Sequence, residues 1–131
     1  MKVLALDYGS ARTGVAVSDP TGAIARPLGV VERAGGKDGL ARVAELVREE
    51  GVELVVVGMP VTLAGQVGPQ AQETVRFVER LRAELEVPVE TFDERFTTTL
   101  AVQGGGRGAE DARAAAHLLA GYLARREARG G

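Results

Sequence analysis

Residues 3–18 read VLALDYGSARTGVAVS, and this stretch decides the fold that the chain predicts. Val3–Leu6 form a continuous apolar run, which is typical of a strand buried on both faces. The run ends at Asp7, a glycine-serine turn follows, and a second β-rich run begins at Thr13. A carboxylate at the exit of a buried strand can hold a cation or lie near a phosphate, but Asp also caps turns through its side chain. The stretch alone leaves both interpretations of Asp7 open.

The composition limits the classes of protein to which the chain could belong. Of its 131 residues, 45% are hydrophobic and 26% are charged, which suits one soluble globular domain. The absence of cysteine excludes disulfides and thiolate metal sites. No apolar run nears the roughly 18 residues of a membrane span and no signal peptide is recognisable, so we expect a cytoplasmic protein without a membrane partner. The formal net charge of −2 provides no general attraction to nucleic acid.

The order of the predicted elements indicates the fold class. Three short strands, at about 2–7, 13–18 and 23–31, follow one another through turns and predict an antiparallel meander. Helices and strands then alternate, at about 39–50, 54–57, 69–86, 88–92 and 110–127. Asp38 is predicted to cap the first of these helices. We therefore predict an α/β fold with a five-stranded mixed sheet and helices on both faces, formed as one domain by residues 1–127, with 128–131 as a frayed tail.

Polar or glycine-containing segments follow the three strands that we expect to be parallel, namely the first, fourth and fifth. These are predicted to be the long apolar strands, covered on both faces. Asp7, Gly58–Pro60 and Asp93–Glu94 stand at their carboxyl ends, where ligands gather in open α/β sheets. The positions therefore predict a shared site, although one acid of the last pair could simply form an ion pair with Arg95.

A further carboxylate joins this group through helical spacing. Asp111 precedes Ala115, Leu118 and Tyr122 by four, seven and eleven residues, so it shares the inward-facing stripe of the last helix. It could also be a first-turn acid that favours the helix dipole. Carboxylates gathered at one end of a sheet, in a chain without cysteine, suit Mg²⁺ or Mn²⁺. Two such ions about 3.5–4 Å apart can support phosphodiester cleavage, so phosphoryl transfer on a nucleic acid is the predicted chemistry.

The same segments resemble the YqgF/RuvX family over nearly the whole chain. The resemblance rests on Leu4–Ser10, Arg12, Gly14–Asp19, Val57–Pro60, Gly65, Gly68–Ala71, Asp93–Thr98, Asp111, Ala114–Ala115 and Tyr122–Leu123. It implies a fold like that of RNase H and akin to Holliday junction resolvases. It also implies a cytoplasmic nuclease that processes the 5′ end of pre-16S rRNA, with nucleic acid as its partner.

Carried onto this chain, the resemblance implies a site of specific residues. The catalytic and metal-binding acids would be Asp7, Glu94 and Asp111, with Asp93 as the competitor of Glu94 and with Mg²⁺ or Mn²⁺ as the cofactor. The residues expected to contact the substrate are Arg12, Arg95, Arg107, Gly58 and Pro60.

The chain departs from the family pattern at residues 61–64 and in the short glycine-rich segment 103–108. Family members usually carry a longer helical and basic stretch near the second of these segments. We therefore expect weak, salt-sensitive binding of the substrate. The expected assembly is a monomer or weak homodimer.

Other functions remain open at this point. The resemblance to resolvases admits a DNA endonuclease for branched DNA. A site too degraded for metal would leave a non-catalytic factor that binds ribosomal RNA. The Asp7–Ser10 turn also resembles the phosphate loop of two-domain ATPases, although this chain has only one such unit.

Overall fold

A computed structural model describes residues 1–60, 68–94 and 107–128, with side chains for all of them except 107–109. Five strands and three helices follow one another in the predicted order, and most of their ends lie within a few residues of the predicted ones. The elements are β1 (Val3–Asp7), β2 (Arg12–Ser18), β3 (Ala25–Glu32), α1 (Lys37–Glu50), β4 (Leu54–Met59), α2 (Pro69–Glu84), β5 (Val89–Asp93) and α3 (Arg107–Ala128).

The five strands form one mixed sheet in the order β3-β2-β1-β4-β5. The first three strands pair antiparallel, β4 pairs parallel with β1, and β5 pairs parallel with β4. The predicted meander and the predicted parallel strands are both confirmed. The carboxyl ends of β1, β4 and β5 therefore lie along one edge, which we call the carboxyl edge, and their amino ends lie along the opposite, amino edge.

The helices cover both faces of the sheet, as predicted. Successive strand residues point to opposite faces, so Leu4 and Leu6 enter one buried cluster with residues of α1 and α2. Val3 and Ala5 enter the other cluster, with residues of α3. Asp7 is in phase with Val3 and Ala5, which places its side chain on the α3 face at the end of β1.

Two details of the prediction are wrong. Helix α1 begins at Lys37 with Gly36 as its N-cap and no side-chain cap, so Asp38 lies in the first turn, where a negative charge favours the helix dipole. The parallel strands are also not the long ones, because β2 and β3 have 7 and 8 residues whereas β5 has 5. Strand β5 is at the margin of the sheet, and its residues Glu90 and Thr91 are exposed rather than covered.

Helix α3 is the main cover of its face. It runs for 22 residues and buries Ala115, Leu118 and Leu119 against the sheet, as the predicted stripe requires. In the part of the chain that the structure describes, neither this helix nor another combines the length and apolar character needed to cross a membrane. The predicted frayed tail beyond Ala128 lies outside the described residues.

Candidate active site at the carboxyl edge

Asp7 ends β1 between two glycines on the neighbouring strands. Gly14 of β2 is its antiparallel partner. On the other side, the register that pairs Leu6 with Val57 brings Gly58 of β4 beside Asp7. Since neither neighbour carries a side chain, the α3 face is open on both sides of the Asp7 carboxylate.

Glu94 reaches Asp7 across the opening over Gly58. Neighbouring strands are about 4.8 Å apart, so the end of β5 is about 10 Å from β1 with β4 between them. A Cβ at Gly58 would lie 2.9 Å from Glu94 Oε1 and 3.1 Å from Glu94 Cγ. Glycine at this position therefore leaves the space that the Glu94 side chain fills. The signal is present in the sequence, because an isolated glycine in a buried strand often marks a close approach.

The main chain of Asp111 fills the opening on the other side of Asp7, over Gly14. A Cβ at Gly14 would overlap the carbonyl oxygen of Asp111 and lie 3.2 Å from the amide nitrogen of Ala112. The start of α3 thus packs directly on β2 opposite Asp7. Asp111 is on the sheet-facing side of α3, as its spacing predicted, and the helix begins three residues before the predicted start at 110.

Asp7 and Glu94 form a coupled carboxyl pair. Their side chains are hydrogen-bonded to each other, and both are partly buried. Burial, the negative charge of Asp7, the hydrogen bond between the two side chains and the charge of Asp93 together raise the pKa of Glu94 to about 7. Burial also raises the pKa of Asp7, the hydrogen bond from Glu94 opposes that rise, and the charge of Asp111 adds to it. Near neutral pH the pair therefore shares a proton, which Glu94 donates to Asp7.

Asp111 is bound on the other side by Arg12. The Nε atom of Arg12 lies 2.9 Å from Asp111 Oδ2, and the two side chains are 37% and 33% exposed. This oxygen is nevertheless buried without a hydrogen-bonding partner among the described residues. The two observations agree if the Arg12 N–H is not aimed at the oxygen, so that the charges attract without an aligned hydrogen bond.

The predicted metal site is only partly assembled. The oxygen donors of the Asp7–Glu94 pair are those that Mg²⁺ and Mn²⁺ prefer, and a buried Asp111 oxygen without an aligned donor is a further acceptor. Among the residues that the structure describes, however, no three acidic or histidine side chains are arranged to hold a metal ion. The pair fits a divalent cation, whereas Asp111 is engaged by Arg12.

Tyr8, which the sequence analysis left without a role, lies next to the pair on the other face of the sheet. Its ring stacks on Phe77 of α2 with the centroids 4.4 Å apart, and its hydroxyl donates a 3.0 Å hydrogen bond to Glu73. Burial raises the pKa of the Tyr8 hydroxyl, and the Glu73 hydrogen bond adds to that rise. These contacts fix the residue that follows Asp7 and so restrict where the strand end can move.

The other candidate residues of the site are not part of the Asp7–Glu94 pair or of the Arg12–Asp111 contact. Glu94 is hydrogen-bonded to Asp7, and Asp93, which ends β5, acts on Glu94 through its charge. Gly58 contributes space for Glu94, and Pro60 follows β4 at the same edge. Their predicted contact with substrate stays a prediction. Arg95, the side chain of Arg107 and the segment 103–108 lie outside what the structure describes, so the expectations for them also stay predictions.

Comparison with solved structures identifies the fold. The chain superposes on Thermus thermophilus RuvC in complex with Holliday junction substrate with a TM-score of 0.63 and 21% identity, covering 97% of this chain and 96% of that one. A second T. thermophilus RuvC structure gives 0.62 and 20%, covering 98% and 97%. At this identity the likeness concerns the fold, and it confirms the predicted RNase H-like fold of the resolvase class.

Comparison of sequences identifies the family. The family described as "RuvX: Holliday junction resolvase" matches residues 1–125. A Desulforudis audaxviator protein is 46% identical over 98 residues, which cover 75% of this chain and 70% of the relative. A Moorella thermoacetica protein is 40% identical over 134 residues, covering 95% and 96%. Both are named "Putative pre-16S rRNA nuclease". The chain belongs to the RuvX family, as its motifs predicted, and this places it among nucleases.

Proposed function

We propose that this protein hydrolyses phosphodiester bonds in structured RNA, with the 5′ end of pre-16S rRNA as its substrate. The observation that carries the proposal is the Asp7–Glu94 carboxyl pair at the carboxyl edge, with Asp111 beside it. A purely structural role would not explain such a pair, because two half-buried acids cost stability when both are ionised. The cytoplasm, where precursor rRNA occurs, is the corresponding location.

The residues have distinct tasks in this proposal. Asp7 and Glu94 would hold a divalent cation, and Asp111 would complete the set. Such a cation, Mg²⁺ or Mn²⁺, supplies charge that stabilises the attacked phosphate and lowers the pKa of a water molecule. Because Glu94 has a pKa of about 7, the pair can also release or accept a proton near neutral pH. Arg12, which lies beside Asp111, would meet a phosphate oxygen of the substrate.

Two considerations favour RNA over branched DNA. The curated relatives described above carry the name of an rRNA nuclease at 40% and 46% identity. The RuvC structure that holds a Holliday junction shares only 21% of its sequence with this chain.

The proposal is tested by cleavage of two substrates side by side. A precursor 16S rRNA fragment and a four-way DNA junction are each incubated with the protein and Mg²⁺ or Mn²⁺, and an Asp7→Asn protein serves as the control for contaminating nucleases. We expect cleavage of the RNA that requires the cation and Asp7. Preferential cleavage of the junction would assign the protein to DNA, and binding of RNA without cleavage under either metal would make it a non-catalytic factor.

A further inference from the structure

The ion pair between Arg12 and Asp111 separates one acid of the site from the other two. Arg12 is the first residue of β2, and Asp111 is near the start of α3. Arg12 Nε is 2.9 Å from Asp111 Oδ2. On the opposite side of Asp7, Glu94 is hydrogen-bonded to the Asp7 carboxylate. Asp7 and Glu94 thus form a pair, whereas the third acid, Asp111, is paired with the Arg12 side chain.

The main chain of Asp111 is fixed, whereas its side chain has an alternative. The carbonyl group of Asp111 packs directly on Gly14, so the backbone cannot approach or leave the sheet without moving α3. Asp7 is the strand partner of Gly14, and the Asp111 carboxylate is close enough for its charge to raise the pKa of Asp7. A turn of the Asp111 side chain from Arg12 toward Asp7 would therefore need no movement of the backbone. A change in the site therefore requires a new partner for Asp111 and no change in the fold.

The hold of Arg12 on Asp111 is weak enough to be exchanged. Both side chains are about one-third exposed, and ion pairs of this exposure contribute little. The contacted oxygen has no aligned hydrogen bond from the described residues, so the pair lacks the geometry that makes arginine–carboxylate contacts strong. A phosphate group offers a guanidinium two aligned acceptors instead, and arginine prefers such planar, forked recognition.

We propose that Arg12 is a positioning residue that keeps Asp111 away from the Asp7–Glu94 pair until the phosphate backbone of a nucleic acid takes its guanidinium. Release of Asp111 then completes the three-acid site, so that nucleic acid and a divalent cation each strengthen the binding of the other. This reciprocity follows from thermodynamic linkage between two ligands of one protein. The inference rests on the proposed function, because it assumes that the acids bind a cation.

The test is a measurement of Mn²⁺ affinity, which does not depend on catalysis. Binding is titrated by electron paramagnetic resonance for wild type, Arg12→Gln and Arg12→Lys, alone and with a cleavage-resistant phosphorothioate RNA. Arg26→Gln is the matched control, since Arg26 also forms an ion pair, with Glu50 at 3.4 Å, far from the acids. This control loses the same charge and one ion pair but does not touch Asp111. Thermal melts establish that every variant is folded.

Without RNA, we expect Arg12→Gln to bind Mn²⁺ about two- to fivefold more tightly than wild type, the range that an exposed ion pair accounts for. Arg26→Gln and Arg12→Lys should stay close to wild type. RNA should tighten Mn²⁺ binding to wild type but not to Arg12→Gln. In an Asp111→Asn background the gain from Arg12→Gln should disappear, which identifies Asp111 as the residue through which Arg12 acts.

Equal or weaker Mn²⁺ binding by Arg12→Gln in the absence of RNA would overturn the inference. If wild type binds Mn²⁺ through Asp7 and still shows that result, the proposed nuclease site survives and only the role of Arg12 is lost. If Mn²⁺ binds none of these proteins, or binds Asp7→Asn as it binds wild type, the metal site and the inference both fail.

Discussion

Two aspartates at strand ends, one at each edge of the sheet, have different hydrogen-bonding partners. At the amino edge Asp19 follows β2, and its Oδ1 accepts hydrogen bonds from the amides of Ala23 and Ile24 at 2.8 and 2.9 Å, while the hydroxyl of Thr21 donates to Oδ2. At the carboxyl edge Asp7 is the last residue of β1, and its side-chain partner is the carboxyl of Glu94. The first aspartate is a turn cap, and the second is not.

The electrostatic consequences of the two environments have opposite sign. The hydroxyl of Thr21 and the surrounding amides hold the pKa of Asp19 well below its usual range. Burial raises the pKa of Asp7, and the charge of Asp111 opposes its ionisation as well. An ionised Asp19 therefore stabilises the fold, whereas an ionised Asp7–Glu94 pair costs stability that a bound cation or a proton can restore. A position at the end of a strand therefore does not by itself define a functional acid, which is distinguished by the partners of its carboxylate.

The largest difference is expected in catalysis. Asp7→Asn should abolish divalent-dependent cleavage of the RNA while leaving the melting temperature unchanged or raised, because it removes one of the repelling charges. Asp19→Asn, a matched substitution at the other edge, should keep full activity. Cleavage rates and thermal melts of both proteins make the comparison. Full activity of a folded Asp7→Asn protein would remove Asp7 from the site.

The next largest effect is expected on stability, from Gly14, the glycine of β2 on which α3 packs. Gly14→Ala places a methyl group against the carbonyl of Asp111, so we expect it to lower the free energy of unfolding by about 1–3 kcal/mol and to displace Asp111 from the site. Gly29 is also in a strand, and a Cβ there meets nothing within 4 Å. Gly29→Ala is thus the control and should change stability little. Denaturant unfolding of the two variants measures the difference, and equal stability would show that α3 yields easily at this position.

A smaller effect is expected from the pH dependence of stability. The pKa of Glu94 is about 7 in the folded protein against an ordinary 4.5, so the folded state holds its proton more firmly. The free energy of unfolding should therefore fall as pH rises from about 4.5 to 7, by on the order of 1 kcal/mol because the site is partly solvated. Glu94→Gln should flatten this slope, and Asp93→Asn should reduce it less and impair cleavage less. The reverse order for these two variants would mean that Asp93 is the second acid of the site.

The smallest effect is the contribution of Asp19 to the pH dependence of stability, which has the opposite sign to that of Glu94. Because its folded pKa is lowered, it contributes stability above the ordinary value of 3.8, and that contribution is lost as pH falls through the acid range. Asp19→Ala should lower the melting temperature slightly at about pH 7, and the difference from wild type should shrink as pH falls below about 4. Melts across this range test it. A difference that persists in acid would assign the loss to the turn backbone rather than to the charge.

Much of the fold was predictable because its signals are local. The apolar runs of β1 and β4, the meander turns and the helical stripe of α3 each arise from residues close together in the sequence, and the structure confirms all of them. The errors concern details that depend on neighbours. Strand β5 was expected to be covered on both faces, but its place at the margin of the sheet leaves Glu90 and Thr91 exposed.

The choice between Asp93 and Glu94 shows where local reasoning stops. The two acids are consecutive, and the sequence assigned the site to Glu94 only through the family resemblance. The structure brings Glu94 to Asp7 because it is in phase with Phe92, which packs on the α3 face, and because Gly58 leaves its longer side chain room to cross β4. The alternation was readable from the sequence, whereas the free passage over Gly58 needed the sheet order.

The kinds of element, their order, the family and the position of each acid at or near an element's end follow from the sequence alone, because hydrophobic period and turn chemistry act over a few residues. Which acids meet depends on the tertiary structure. Asp7 and Glu94 share a proton because parallel pairing sets their strands two places apart, and Asp111 faces Arg12 because α3 packs on a glycine of β2. Contacts between residues so distant in the chain depend on how the sheet and helices pack, which no local pattern records.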